Sequence, residues 1–233
     1  EKPTSFIQPF EADPIITRIL FRDYNVRFAI QISNPGNKAI DLRNYAFVRI
    51  APGSVPSVHI ADSAYGQRWS VYIPGYLYPT EEEWTVSPGI LVEDNEVNPI
   101  LGPGQSFVIE ATINNNTSDM VPDRREADVI FTNRASIYDD MITNREEQGT
   151  VNGRVILASE FFPGNHFMRW WSAREGVALF KIVNDSVRDG TKGRLDPTDF
   201  QMVDLWGDYS AEATWYPDGD STRAGSDRWN FSR

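Results

Sequence analysis

The stretch VRFAIQISNPGNKAIDLRNYAFVRI (26–50) sets the tightest limit on what this chain can fold into. Val26, Phe28, Ile30 and Ile32 alternate with Arg27, Ala29, Gln31 and Ser33, so one set lines a single face of an extended strand, toward a core. Asn34-Pro35-Gly36-Asn37 then stops the run as a turn, because proline fixes φ and glycine accepts a positive φ. A second extended run, YAFVRI (45–50), follows at once.

The same grammar recurs along the chain. ITRILF (16–21), SFVIEAT (106–112), ADVIF (127–131), RVILA (154–158), VALFKI (177–182) and FQMVDLW (200–206) read as strands. PGS, LGPGQS, FPGN, RDGTKG and PDGD supply the turns between them. Helical periodicity is scarce. The best case is ASIYDDMITNREEQ (135–148), where Ile137 and Met141 share a face. Many short strands with Gly/Pro punctuation predict a mainly β fold, a sandwich or barrel. The 233 residues contain no internal repeat or low-complexity linker, so one domain over residues 1–233 is expected, with long insertions at 51–99 and 111–153.

Charge narrows the partners. The net charge of -11 runs against a nucleic-acid partner, because phosphate contacts demand a basic surface. The absence of cysteine excludes disulfides, thiolate metal sites and a cysteine nucleophile. No apolar run approaches the roughly 18 residues of a membrane helix, so membrane contact is expected only through a lipid anchor outside these residues. The opening at Glu1 leads us to expect an export signal or anchor upstream, and more protein after Arg233.

The segment IQISNPGNKAIDLRNY resembles the opening of the lamin-tail type domain, an immunoglobulin-like antiparallel β-sandwich. Ile30, Ile32, Asn34, Asp41, Leu42 and Tyr45 fall on that family's pattern. ILGPGQSFVIE (100–110), EGVALF (175–180) and MVDLWGD (202–208) resemble its later elements in the right order. Gln31 stands where the family usually carries an acid, and both insertions exceed its usual loops. Such enlarged versions resemble surface lipoproteins of gut Bacteroidota. The resemblance implies an extracellular or cell-surface module, held by a lipidated cysteine ahead of Glu1 and docked on an outer-membrane nutrient-uptake complex. On this reading Asn34 closes a turn through its side chain, Asp41 accepts backbone hydrogen bonds, and Leu42 and Tyr45 belong to the core.

Catalytic motifs are missing from the sequence. His59 and His166 lie in separate loops, and no GxSxG, HExxH, P-loop or GxGxxG occurs, so neither an enzyme nor a cofactor is expected. Glu81-Glu82-Glu83 beside Trp84 is the densest acidic run, and like charges in a run form solvated faces. DSVRDGTKGRLD (185–196) has acids at several EF-hand positions, but Val187 interrupts the ligand series and no metal is expected there. The PDGD turn at 217–220 is read the same way.

Aromatic residues carry the functional expectation. Tyr65, Trp69, Tyr72, Tyr76, Tyr78 and Trp84 crowd into one insertion, and Phe161, Phe162, Phe167, Trp170 and Trp171 form a second cluster. The structural reading is that these rings pin long loops to the sandwich. The functional reading is a platform for a glycan, a peptide or a partner protein, with Trp69, Tyr76, Trp84, Trp170 and Trp171 as contact residues. The insertion then forms a lobe that can be excised at 62–86 without unfolding the sandwich. The expected function is a non-catalytic surface module that binds a ligand or docks as an accessory subunit. The alternatives are a structural β domain of a longer surface or virion protein, and a carbohydrate-active enzyme.

Overall fold

The computed structural model describes residues 11–22, 27–50, 71–77, 92–112, 127–132, 153–157, 176–188, 197–207 and 229–232, and the structural statements that follow concern these. They form a mainly β fold with two principal sheets. In the first, six strands run in the order β11-β10-β9-β2-β1-β14. These are β1 (Ile15–Arg22), β2 (Arg27–Ser33), β9 (Ser106–Thr112), β10 (Val129–Thr132), β11 (Arg154–Leu157) and β14 (Trp229–Ser232). The second holds β4 (Tyr45–Ile50), β5 (Val71–Tyr72), β12 (Gly176–Ile182) and β13 (Phe200–Trp206) in the order β13-β12-β4-β5. Two short pairs complete it: β3 (Ile40–Asp41) with β8 (Ile100–Leu101), and β6 (Tyr76–Leu77) with β7 (Val92–Glu93). Helix is confined, among the described residues, to α1 (Asp185–Arg188) and two 3-10 turns.

The alternation in β2 does what its period predicts. Ile30 and Ile32 are fully buried and pair with Ile19 and Ile16 of β1 and with Ile109 and Phe107 of β9. Strict alternation in ITRILF would put Ile16 and Arg18 on one face. A bulge between Ile16 and Arg18 shifts the register by one, so that Ile16 and Ile19 both face the core and Arg18 is exposed. The backbone N–H of Ile16 donates to Asp204 Oδ2 of β13 at 2.7 Å, which ties the two sheets together at the bulge.

Ile16, Ile19, Ile30, Ile32, Phe107 and Ile109 form one hydrophobic core with Phe47, Leu179 and Trp206 of the other sheet. Tyr72 of β5 meets Phe131 of β10 edge to face, with ring centroids 5.1 Å apart. Each such buried side chain stabilises the fold by roughly 1.5–3 kcal/mol.

Two expectations need correction. The sandwich is not purely antiparallel, because β9, β10 and β11 pair in parallel. Their burial explains how this is accommodated: Ile130 and Val155 are fully buried although they face away from the core-side Val129 and Ile156, so both faces are covered, as parallel ladders require. The segment 51–99 is also more than a loop. Its residues 71–77 and 92–99 add β5 to the second sheet and supply β6 and β7, and Tyr72 and Ile73 are core residues. Excising 62–86 would remove part of the core. Val26 and the stretch 135–148 lie outside the described residues.

Candidate functional site

The segment 30–45 is a structural hub. At the end of β2, Asn34 is 1% exposed; its Oδ1 accepts the Gly36 N–H at 2.8 Å, which closes the NPGN turn. Its Nδ2 donates to the carbonyls of Lys38 at 2.7 Å and Leu101 at 2.9 Å. Its backbone exchanges hydrogen bonds with the second turn, from Asn34 N to Gln105 O and from Gly104 N to Asn34 O. That turn needs the positive φ of +68° at Gly104. One asparagine therefore stitches two turns that are far apart in sequence.

Asp41 caps the 3-10 turn Leu42–Asn44 by accepting the Arg43 N–H at 3.0 Å. The same carboxylate takes the Arg43 guanidinium through Nε and, at 2.7 Å, Nη2. Leu42 and Tyr45 are buried, as the motif implied.

Around this hub opens a cleft of ≈ 400 Å³, whose walls include Glu11, Asp13, Lys38, Asp41, Tyr45 and Lys181. Lys38 Nζ donates to Glu11 Oε1 at 2.9 Å, and Lys181 Nζ donates to Asp13 Oδ1 at 2.8 Å. The Tyr45 hydroxyl donates to the same Asp13 oxygen at 2.7 Å, while the Lys181 ammonium stands 6.0 Å from the centre of the Tyr45 ring. Burial by itself would raise the Asp13 carboxyl; the hydrogen bonds from Lys181 and Tyr45 and the lysine charge outweigh it and hold the group below its ordinary range. Burial and the Asp13 hydrogen bond push the Tyr45 phenol the other way, well above its usual value.

A second ionic junction is buried. Arg154 of β11 donates through Nε to Asp94 Oδ2 at 3.2 Å and through Nη1 to the Val155 carbonyl at 2.6 Å. Glu96 lies 3.8 Å from the same Nε at the exposed edge. The Tyr72 phenol is raised well above its usual value, first by burial and then by the Asp94 charge, with Arg154 opposing.

Of the aromatic residues expected to make contacts, Tyr76 is described: half-buried on β6, it packs against the core and pairs with Glu93 of β7. Trp69, Trp84, Trp170 and Trp171 lie outside the described residues, as do His59 and His166. Tyr72, from the same aromatic run, serves the core, which is the structural reading of that cluster. Sequence reasoning passed over Glu11, Asp13, Lys38, Lys181, Asp94 and Arg154. A signal existed for Lys181, a lone charge in the apolar run VALFKI, and for Arg154, the charge that opens RVILA. No family model matches this chain, and neither a curated protein nor a solved structure shows significant similarity to it.

Proposed function

We propose that this protein is a non-catalytic cell-surface module that binds a ligand or docks as an accessory subunit of an envelope complex. The observation that carries the reading is the Asp13–Tyr45–Lys181 cluster in the cleft. A nucleophile and its base need proton affinities brought close together, so that a proton can pass between them. Here the phenol is pushed up and the carboxyl held down, so the proton stays on Tyr45 and Asp13 stays an acceptor. That arrangement suits recognition, where fixed donors and acceptors face a cleft. The lamin-tail resemblance supports a surface location, and the half-buried Tyr76 beside that motif remains our candidate for a partner contact.

The test is affinity purification of the protein from its native envelope, with a glycan panel assayed for turnover in parallel. A stoichiometric partner or a co-purified ligand, without turnover, is the expected result. Recovery of the chain alone would favour a structural domain of a longer surface protein. Turnover that disappears in Asp13→Asn would restore the enzyme reading.

A further inference from the structure

Resting on the binding-module reading, we propose that the cleft bounded by Glu11, Asp13, Lys38 and Lys181 takes a neutral, hydroxyl-rich ligand: a sugar unit of a glycan. The first argument is charge. Among the described residues, every charge in the cleft wall is already matched, Glu11 with Lys38, Asp13 with Lys181, and Asp41 with Arg43. An anion entering the cleft meets three carboxylates, and a cation meets two ammonium groups and the Arg43 guanidinium held on Asp41. Neither sign gains.

The second argument is hydrogen-bond valence. An ammonium group has three N–H donors and a carboxylate has two oxygens. The ion pairs use Glu11 Oε1 and Asp13 Oδ1 and one donor from each lysine. Glu11 Oε2, Asp13 Oδ2 and the further lysine N–H groups stand ready for a ligand. A sugar hydroxyl donates and accepts at once, so adjacent hydroxyls match a carboxylate oxygen beside an ammonium N–H, and bonds to charged partners are the stronger kind. Ala39 and Ile182 give the cleft apolar wall for the C–H face of a ring. A volume of ≈ 400 Å³ lies within the range of small-molecule sites, roughly 300–1,000 Å³.

The experiment follows the Ala39 and Ile182 methyl signals of the whole chain by NMR. Neutral disaccharides of gluco, galacto, manno and xylo configuration are titrated to about 20 mM, with inorganic phosphate and lysine amide as charged comparisons. At least one sugar should move both methyls, with a Kd that is unchanged between about 50 and 500 mM salt. Glu11→Gln with Lys38→Met should weaken it at least about tenfold. Both side chains are exposed, at 81% and 46%, so the fold should be intact and signals remote from the cleft unmoved. Lys181→Gln is the second variant and should weaken binding as well. Silence of both methyls toward every sugar, a larger response to phosphate or lysine amide, or unaltered affinity in the variants overturns the proposal. Silent methyls alongside a captured envelope partner sink the sugar assignment alone; silent methyls with no partner or co-purified ligand sink the module reading too.

Discussion

The protein carries two ionic junctions of nearly the same chemistry in opposite surroundings. Asp94 and Arg154 have side chains 5% and 9% exposed, whereas those of Asp13 and Lys181 are 39% and 43% exposed. The buried pair has little water to fall back on, so each partner is indispensable to the other. The open pair trades its contacts with solvent at little cost, and for the same reason it has hydrogen-bonding capacity left for something else. Burial, more than pairing, separates a structural ion pair from a candidate binding one.

The largest expected effect comes from breaking the buried pair on one side. Arg154→Ala leaves the buried Asp94 carboxyl group without its guanidinium partner and removes the bond to the Val155 carbonyl. It should destabilise by about 3–5 kcal/mol, read as a fall in the urea midpoint at unchanged slope. Replacing both partners, with Asp94→Leu and Arg154→Met, should recover most of that loss, since no charge is then stranded. A double variant as unstable as the single one would show that the pair itself, rather than the stranded charge, carries the effect.

A neutral hub sharpens the comparison by separating burial from charge. Asn34 is as buried as Asp94 but carries no charge, and its amide serves three backbone groups. Asn34→Ala strands two carbonyls and one N–H, and water can reach part of this turn. A loss of about 1–3 kcal/mol is expected, below that of Arg154→Ala. Asn34→Asp should not rescue it, because a carboxylate cannot donate to the Lys38 and Leu101 carbonyls. If Asn34→Ala costs more than Arg154→Ala, connectivity outranks charge as the determinant.

How much of this was written legibly in the sequence follows the reach of each interaction. The alternation of Ile30 and Ile32, the NPGN turn and the Asp41 cap are local, and their structural roles could be inferred from neighbouring residues. The parallel pairing of β9, β10 and β11 could not be read, because in β10 and β11 burial on both faces erases the period of two that marks a one-sided strand. β5 was missed because two residues are too few to show a period, and Tyr72 was therefore counted among the aromatics of a loop insertion. The candidate cleft was the least legible feature. Asp13 lies 32 residues from Tyr45 and 168 from Lys181, and only the crossing of strands from different parts of the chain brings them together.

The open junction provides an intermediate effect and then the smallest. Tyr45→Phe removes the hydroxyl that donates to Asp13 but keeps the buried ring, so about 0.5–1.5 kcal/mol should be lost at neutral pH. The phenol's folded proton affinity lies above its unfolded one, so its contribution is complete below about pH 10 and declines as the pH rises further. The gap between parent and Tyr45→Phe in thermal melts should therefore narrow on the alkaline side, and again in strong acid, where Asp13 takes a proton. A gap independent of pH there would mean that Asp13 does not hold the Tyr45 proton.

Asp13→Asn should produce the smallest change, and its pH dependence should have the opposite sense. Asparagine keeps an oxygen for the Tyr45 hydroxyl and loses only the charge that attracts Lys181. For a pair this exposed the expected difference is a few tenths of a kcal/mol, about 0.2–1, further reduced by about 0.5 M salt. The carboxyl's folded pKa lies below its unfolded value near 3.9, so its contribution is fully present above that value. It is lost as the pH falls through the folded pKa, where a protonated Asp13 becomes a near equivalent of asparagine. Melts of the parent and of Asp13→Asn should run parallel from about pH 7 to 5, converge below about pH 4, and coincide in stronger acid. Convergence on the alkaline side instead, or a gap as large as that of Arg154→Ala, would mean that this junction is structural like the buried one, and would remove the reason for regarding its cleft as open to a ligand.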